Sequence, residues 1–273
     1  MTLKTAAQPR LRPIEGRHNP RVKELRQAFE NAELTADGYC ALEGTHLVEE
    51  AIRSGLRFRA VYFSESAQNR AQRLLPQIGA QVETLLLPDK LFTGAVPSGT
   101  PQGVAALVKV RVWTPSDVID RAKAAPLLLI AGLQDPGNLG TILRSAEAFG
   151  AAGVLLGEGT VSPFNSKVIR ASAGSLFRVA VARTKLEPAI AEIRQAGIRV
   201  LATSSHKGTV LPEAKLDGAF AVLIGGEGAG VPRDLLSKVD EVVAIPHAPQ
   251  VESLNAGVAA SIVLYEAARQ RTQ

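Results

Sequence analysis

The sequence predicts an α/β protein of two domains. Three observations carry this. A chain of 273 residues exceeds what one small core needs and is comfortable for two. Short apolar runs, such as Leu127-Leu128-Leu129-Ile130 and Ala221-Val222-Leu223-Ile224, alternate with segments of helical period. That is the pattern of a parallel sheet covered on both faces. A stretch bounded by Trp113-Thr114-Pro115 and Lys123-Ala124-Ala125-Pro126 separates a loosely patterned first half from a regular second half.

Composition narrows the class. With 46% hydrophobic and 21% charged residues, the chain suits a packed core and not a disordered one. One cysteine, Cys40, excludes an intramolecular disulfide and fits a reducing compartment. Residues 1–16 carry charges and no apolar core, and no apolar run approaches the roughly 20 residues of a membrane helix. The expectation is a cytoplasmic protein with no membrane partner. Four scattered histidines and one cysteine give no metal-ligand spacing, so no metal is expected. No G-x-S-x-G elbow or Walker A loop occurs. Net charge is +5, and residues 1–30 hold seven basic against three acidic residues. A basic leading segment points to a polyanionic partner. Charge alone fits a solvated tail equally well.

Taken in order, residues 1–16 lack periodicity and read as a flexible N-terminus. In Asn19-Pro20-Arg21-Val22-Lys23-Glu24-Leu25-Arg26, Val22, Leu25 and Phe29 make a helical stripe. Arg21, Lys23 and Arg26 lie off it. Strands follow at 39–43, 61–63, 82–87 and 103–110, with helices at 44–55, 71–78 and 88–92. Residues 17–112 thus form a small α/β domain, 113–125 a linker, and 126–273 the second domain. There, strands are expected at 127–132, 153–157, 179–182, 198–203, 219–224 and 242–245. Helices are expected at 139–149, 163–174, 186–196, 232–237 and 254–270. Ligands of such sheets bind at the carboxyl ends of strands.

Three loops sit there. The first is Leu133-Gln134-Asp135-Pro136-Gly137-Asn138-Leu139-Gly140-Thr141-Ile142-Leu143-Arg144-Ser145. Gly137 permits unusual backbone angles, and Asn138 is a good N-cap. Ile142, Ala146 and Phe149 form the buried stripe, and Arg144 lies about 200° from Ile142. Arg144 is either a solvated charge or a group that reaches a phosphate or hydroxyl. The second is Gly225-Gly226-Glu227-Gly228-Ala229-Gly230. It is a weak dinucleotide signal, because that fingerprint opens a domain and this loop comes late. An oxidoreductase built on it is a poor rival. Glu227 is either a backbone anchor or a site carboxylate. The third is Ile245-Pro246-His247-Ala248-Pro249-Gln250-Val251-Glu252-Ser253-Leu254-Asn255-Ala256. Ser253 is a natural N-cap, with Asn255 in the first turn.

These three segments, in this order, resemble the motifs of the SpoU branch of the SPOUT methyltransferases, the TrmH-like RNA 2′-O-ribose methyltransferases. Asp135 to Gly140 through Arg144 carries the first motif, Gly225 to Gly230 the second, and Ile245-Pro246 with Glu252-Ser253-Leu254-Asn255 the third. Asn19-Pro20-Arg21-Val22-Lys23, Glu43-Gly44 and Thr100-Pro101-Gln102-Gly103-Val104 make the first domain similar to the L30e-like substrate-binding domain of these enzymes. The resemblance spans nearly the whole chain. It implies an L30e-like α/β domain followed by an α/β-knot (SPOUT) domain, with a mostly parallel sheet and a C-terminal trefoil knot. It implies S-adenosylmethionine as cofactor, met by Thr203, Gly225, Ile245 and Leu254. Catalytic and ribose-positioning roles fall on Asn138, Arg144, Glu227, Ser253 and Asn255. Arg17, Asn19, Arg21, Lys23 and Arg26 are the RNA grip. The family is typically homodimeric. The departures are His247 where methionine is common, Gly226 where Asn, Ser or Ala is common, and Gly257 where serine is common. The implied activity is methylation of a ribose 2′-hydroxyl, with 23S ribosomal RNA the favoured substrate. A tRNA, or an RNA-binding protein without catalysis, is the alternative.

Overall fold

Each half of the chain buries its own apolar strands, and two separate cores result. The computed structural model describes residues 11–228 and 230–272. The chain divides into one compact unit of residues up to 111 with 164–177, and a second of 112–163 with 178–273.

The first unit holds β1 (Arg12–Pro13), α1 (Pro20–Asn31), β2 (Tyr39–Glu43), α2 (Thr45–Arg53), β3 (Arg57–Ser64), α3 (Gln68–Leu74), β4 (Glu83–Leu87), α4 (Asp89–Thr93) and β5 (Val104–Lys109). The sheet order is β1-β4-β3-β5-β2. β5 is antiparallel to both β2 and β3, while β4 is parallel to β3 and to β1. Two expectations change here. Residues 11–16 are not a loose tail: Arg12 and Pro13 pair with Leu85 and Leu86, and Ile14 is buried. Residues 1–10 of that expected tail lie outside the described residues. The helix expected at 71–78 is instead α3, followed by a 3-10 turn at Leu75–Gln77. Pro76, which has no N–H to give, sits in that turn.

The second unit holds α5 (Pro115–Arg121), β6 (Leu127–Ala131), α6 (Pro136–Ala148) and β7 (Gly153–Leu156). After α7 (Ser166–Ser172) come β8 (Val181–Arg183), α8 (Leu186–Gln195), β9 (Arg199–Ser204), β10 (Thr209–Val210), β11 (Phe220–Gly225), α9 (Arg233–Leu236), β12 (Glu241–Ala244) and α10 (Ala256–Arg271). The seven-stranded sheet runs β10-β12-β9-β11-β6-β7-β8, and every ladder in it is parallel. β6 is buried at every position, as a central parallel strand covered on both faces should be.

The expected linker 113–125 is largely α5. Thr114 and Asp117 close a reciprocal capping box around its first turn, and Val118 and Ile119 enter the core of the second unit. The expected second domain, 126–273, is interrupted. Residues 164–177, which carry α7, group with the first unit. Asn165 caps α7, and Arg170 donates to Ser98, whose hydroxyl donates to the buried carboxylate of Glu43. Ala173 and Gly174, both at positive φ, end the helix sooner than its apolar period implied.

Candidate active site

α6 and α10 lie side by side and set the geometry. Gly257 eases the approach: a Cβ there would come within 3.2 Å of the Thr141 side chain. Ser261 donates to the Gly257 carbonyl at 2.6 Å, so Ser145 donates to Ser261, also at 2.6 Å. Farther along, Arg271 donates to the Phe149 carbonyl at 2.8 Å.

At the open end of this pair the first motif meets the other two. Asp135 is the N-cap of α6, and its carboxylate accepts from the Asn138 N–H at 2.7 Å. Pro136 fills the first helical position, where its missing N–H costs nothing. The cap is therefore Asp135 and not Asn138, and Gly137 is helical with no positive φ. This leaves the Asn138 side chain free. Its amide nitrogen donates to Glu227 Oε1 at 2.7 Å, and its oxygen accepts from Asn255 Nδ2 at 2.8 Å. The direction follows from chemistry. A carboxylate only accepts, so Asn138 must turn its NH2 to Glu227 and its oxygen to Asn255. Asn255 Oδ1 in turn caps α10 by accepting from Val258 N–H at 3.1 Å. The cap of α10 is thus Asn255 and not Ser253. The backbone N–H of Gln134 adds a long contact to Glu227 Oε2 at 3.4 Å. Sequence carried no signal for that donor, because every residue but proline has one.

Beside this chain of amides lies a cleft of about 600 Å3, at the carboxyl ends of β9, β11 and β12. Its walls include Thr203, Gly225, Ile245 and Leu254, the four residues expected to meet a cofactor. Glu227, Ser253 and Asn255 also reach it. The glycine loop is closed tightly. A Cβ on Gly225 would lie 2.1 Å from the Gly230 carbonyl carbon, and one on Gly226 would lie 2.5 Å from the Gly132 oxygen. Both contacts are below any real Cβ distance, so a side chain at either position would force the neighbouring backbone to shift. Ala229 of that loop lies outside the described residues. Thr203 spends its hydroxyl on the Leu223 carbonyl at 3.2 Å, and so serves as wall. Ser253 makes no hydrogen bond among the described residues. Ser204, Ser205 and Lys207 line the cleft too and were not singled out in the sequence. Their place after the strand at 198–203 was the available signal.

Arg144 is exposed, two turns into α6, and has no partner among the described residues. The structure does not bring it into the amide chain or the cleft wall. At about 1.5 Å per residue it sits roughly 9 Å along the helix from Asn138.

The expected RNA grip divides. Arg21 is held by Glu83 at 2.8 Å and Glu24 at 3.1 Å, and its carbonyl accepts from the Tyr62 hydroxyl. The hydrogen bond with Arg21 pulls the Glu83 carboxyl below its ordinary range. Asn19 caps α1, and Arg26 donates to the Gly94 carbonyl. Arg17 touches only His18, and Lys23 is exposed with no side-chain partner among the described residues.

Residues 126–265 match the SpoU rRNA Methylase family, and residues 19–106 match the MRM3-like substrate binding domain. A relative in Bacillus subtilis, the 23S rRNA (guanosine(2553)-2'-O)-methyltransferase RlmP, is 34% identical over 93% of this chain and 98% of its own. A Synechocystis protein described as an uncharacterized tRNA/rRNA methyltransferase is 35% identical over 94% of each chain. The solved SpoU methyltransferase AviRb of Streptomyces viridochromogenes, in complex with AdoMet, aligns at a TM-score of 0.79 and 25% identity. The alignment covers 94% of this chain and 99% of AviRb.

Proposed function

This chain belongs to the SpoU rRNA methylase family, and from that premise we propose that it methylates a ribose 2′-hydroxyl of 23S ribosomal RNA. S-adenosylmethionine is the donor. The observation that carries the reading is the chain of Asn255, Asn138 and Glu227, drawn from three distant segments to the rim of one glycine-walled cleft. The cleft fits the donor. Its volume lies within the range of small-molecule pockets, about 300–1,000 Å3. Ile224, Val231, Leu236, Ile245 and Leu254 offer apolar cover for a base, and the glycine loop exposes backbone groups to the rest. Thr203, Gly225, Ile245 and Leu254 would hold it.

When bound, the donor supplies an electrophilic methyl group on a sulfonium, which is why the attacking oxygen needs to be aligned and relieved of its proton. Alignment alone can supply about 7 kcal/mol or more in well-oriented systems. Asn138, fixed on both sides, and the unpartnered Ser253 hydroxyl position the ribose. A guanidinium offers donors and no acceptor, so Arg144 is not the base. It binds the phosphate flanking the target ribose and stabilises the developing oxyanion. Glu227 accepts the hydroxyl proton; its carboxylate has lone pairs beyond those used by Asn138 and Gln134. Arg144→Lys keeps the charge and removes the two-pronged geometry. Full activity in that variant would sink the guanidinium role.

Arg17 and Lys23, exposed basic groups of the leading segment, grip phosphates. A methylated ribose must be presented outside a regular duplex, so the substrate is a loop or unstacked nucleotide. The protein works as a cytoplasmic homodimer whose partner completes each site, and light scattering on the purified chain tests the stoichiometry. The expected trefoil knot belongs to the same proposal and is supported by family membership. The deciding experiment is transfer of labelled methyl from S-adenosylmethionine to total RNA, followed by mapping of the modified nucleotide. A 2′-O-methyl mark in 23S RNA is expected. No incorporation into any RNA would leave an RNA-binding protein without catalysis, and a mark in tRNA would reassign the substrate.

A further inference from the structure

Among the described residues, the cleft wall buries one side-chain polar atom without a hydrogen-bond partner. His247 lines the cleft just after Ile245-Pro246. Its Nδ1 lies 2.7 Å from the Ile245 carbonyl oxygen. A carbonyl only accepts, so Nδ1 carries the proton. Nε2 is buried and has no hydrogen-bond partner among the described residues. In that tautomer Nε2 carries a lone pair and no proton. The ring is covered by His206, at 5.0 Å between centroids and 32° between planes. His206 is exposed, so the cover is a surface side chain that a ligand can push aside.

We propose that His247 Nε2 accepts a hydrogen bond from the 6-amino group of the donor's adenine, and so selects the base. The proposal rests on the reading of this cleft as the methyl-donor site. Ile224, Ile245 and Leu254 on the same walls suit the flat faces of a purine better than a charged amino-acid tail. Ribose hydroxyls both donate and accept, so a fixed acceptor makes no demand on them. A 6-amino group donates, and a 6-oxo group cannot. An acceptor locked by its own tautomer therefore separates adenine from hypoxanthine, as sites built around one hydrogen bond reject analogues that lack it.

The test is calorimetric titration with S-adenosylhomocysteine and with its 6-oxo counterpart, S-inosylhomocysteine. It needs no RNA and no turnover. The proteins are the wild type, His247→Met, which keeps bulk and removes the acceptor, and His247→Gln, whose amide oxygen restores one. Wild type is expected to prefer the amine. His247→Met should bind S-adenosylhomocysteine about tenfold more weakly and lose about tenfold of that preference. His247→Gln should recover part of both. In protein carrying 15N-labelled histidine, the Nε2 resonance of His247 should move upfield as S-adenosylhomocysteine binds. An unchanged preference in His247→Met, or an unmoved resonance, overturns the assignment while leaving the cleft as donor site. If wild type binds neither compound, both readings fall together. Should the Met variant not unfold cooperatively, the Gln variant and the resonance decide.

Discussion

Two helices in this protein begin the same way. α1 opens with Asn19-Pro20 and α6 with Asp135-Pro136, each with a capping side chain and proline at the first helical position. Their first turns then part company. In α1, Arg21 is tied to Glu24 and to Glu83 on β4, and Tyr62 closes on its carbonyl. That turn is spent on holding the first unit together. In α6, Asn138 meets Glu227 and Asn255, residues 89 and 117 positions later in the chain. That turn is spent on holding loops around a cleft. Local sequence sets the helix start in both, and long-range partners decide what it is used for.

Changes in the two turns should separate these uses. Asn138→Ala is expected to lower the methyl-transfer rate constant by about 100-fold or more, with the thermal midpoint little changed. A variant that keeps its rate would put the amide chain outside the chemistry. Gly225→Ala forces a methyl group into the Gly230 backbone. It should cost about 1–3 kcal/mol in denaturant unfolding, together with loss of S-adenosylhomocysteine binding. In α1 the signs reverse. Arg21→Ala should lower stability by about 1 kcal/mol and leave the salt dependence of RNA binding unchanged. Lys23→Ala should do the opposite, with stability unchanged and the log–log salt slope of RNA affinity reduced by about one. Equal RNA effects from the two would erase the distinction drawn here. The smallest effect concerns acid. Arg21 keeps the Glu83 carboxyl below its ordinary range in the folded protein. The pair's stabilisation is thus present above the unfolded carboxyl pKa, about 4.3, and fades as pH falls through the lower folded value. Glu83→Gln should flatten that part of the stability curve, read by urea unfolding between pH 3 and 5 (about one pKa to each side).

Much of the second unit was written in local pattern. The strands expected at 127–132 and 219–224 became β6 and β11 because a buried parallel strand tolerates little else. The three motif loops were found because strand ends in such a sheet are where ligands bind. What stayed hidden was relational. Asp135 and Asn138 both suit a cap, as do Ser253 and Asn255. Proline at the first helical position pointed to Asp135, a cue the residue types alone did not convey. Pairing of Arg12–Pro13 with β4, and the grouping of α7 with the first unit, depend on partners far away in sequence. Arg21 looked like a free cation until Glu83 appeared opposite it.

The hydrogen bond between Asn138 and Asn255 also sets a clock on synthesis. Residue 138 is synthesised 117 residues before its partner exists. At the usual 5–20 residues per second, that is roughly 6–23 s during which the first motif has no site to belong to. The N-terminal unit lacks only residues 164–177 in that interval and can complete itself first. A nascent chain would then display its substrate-binding surface before it can bind a methyl donor. Ribosome-bound chains halted before residue 255 should accordingly bind RNA without binding S-adenosylhomocysteine.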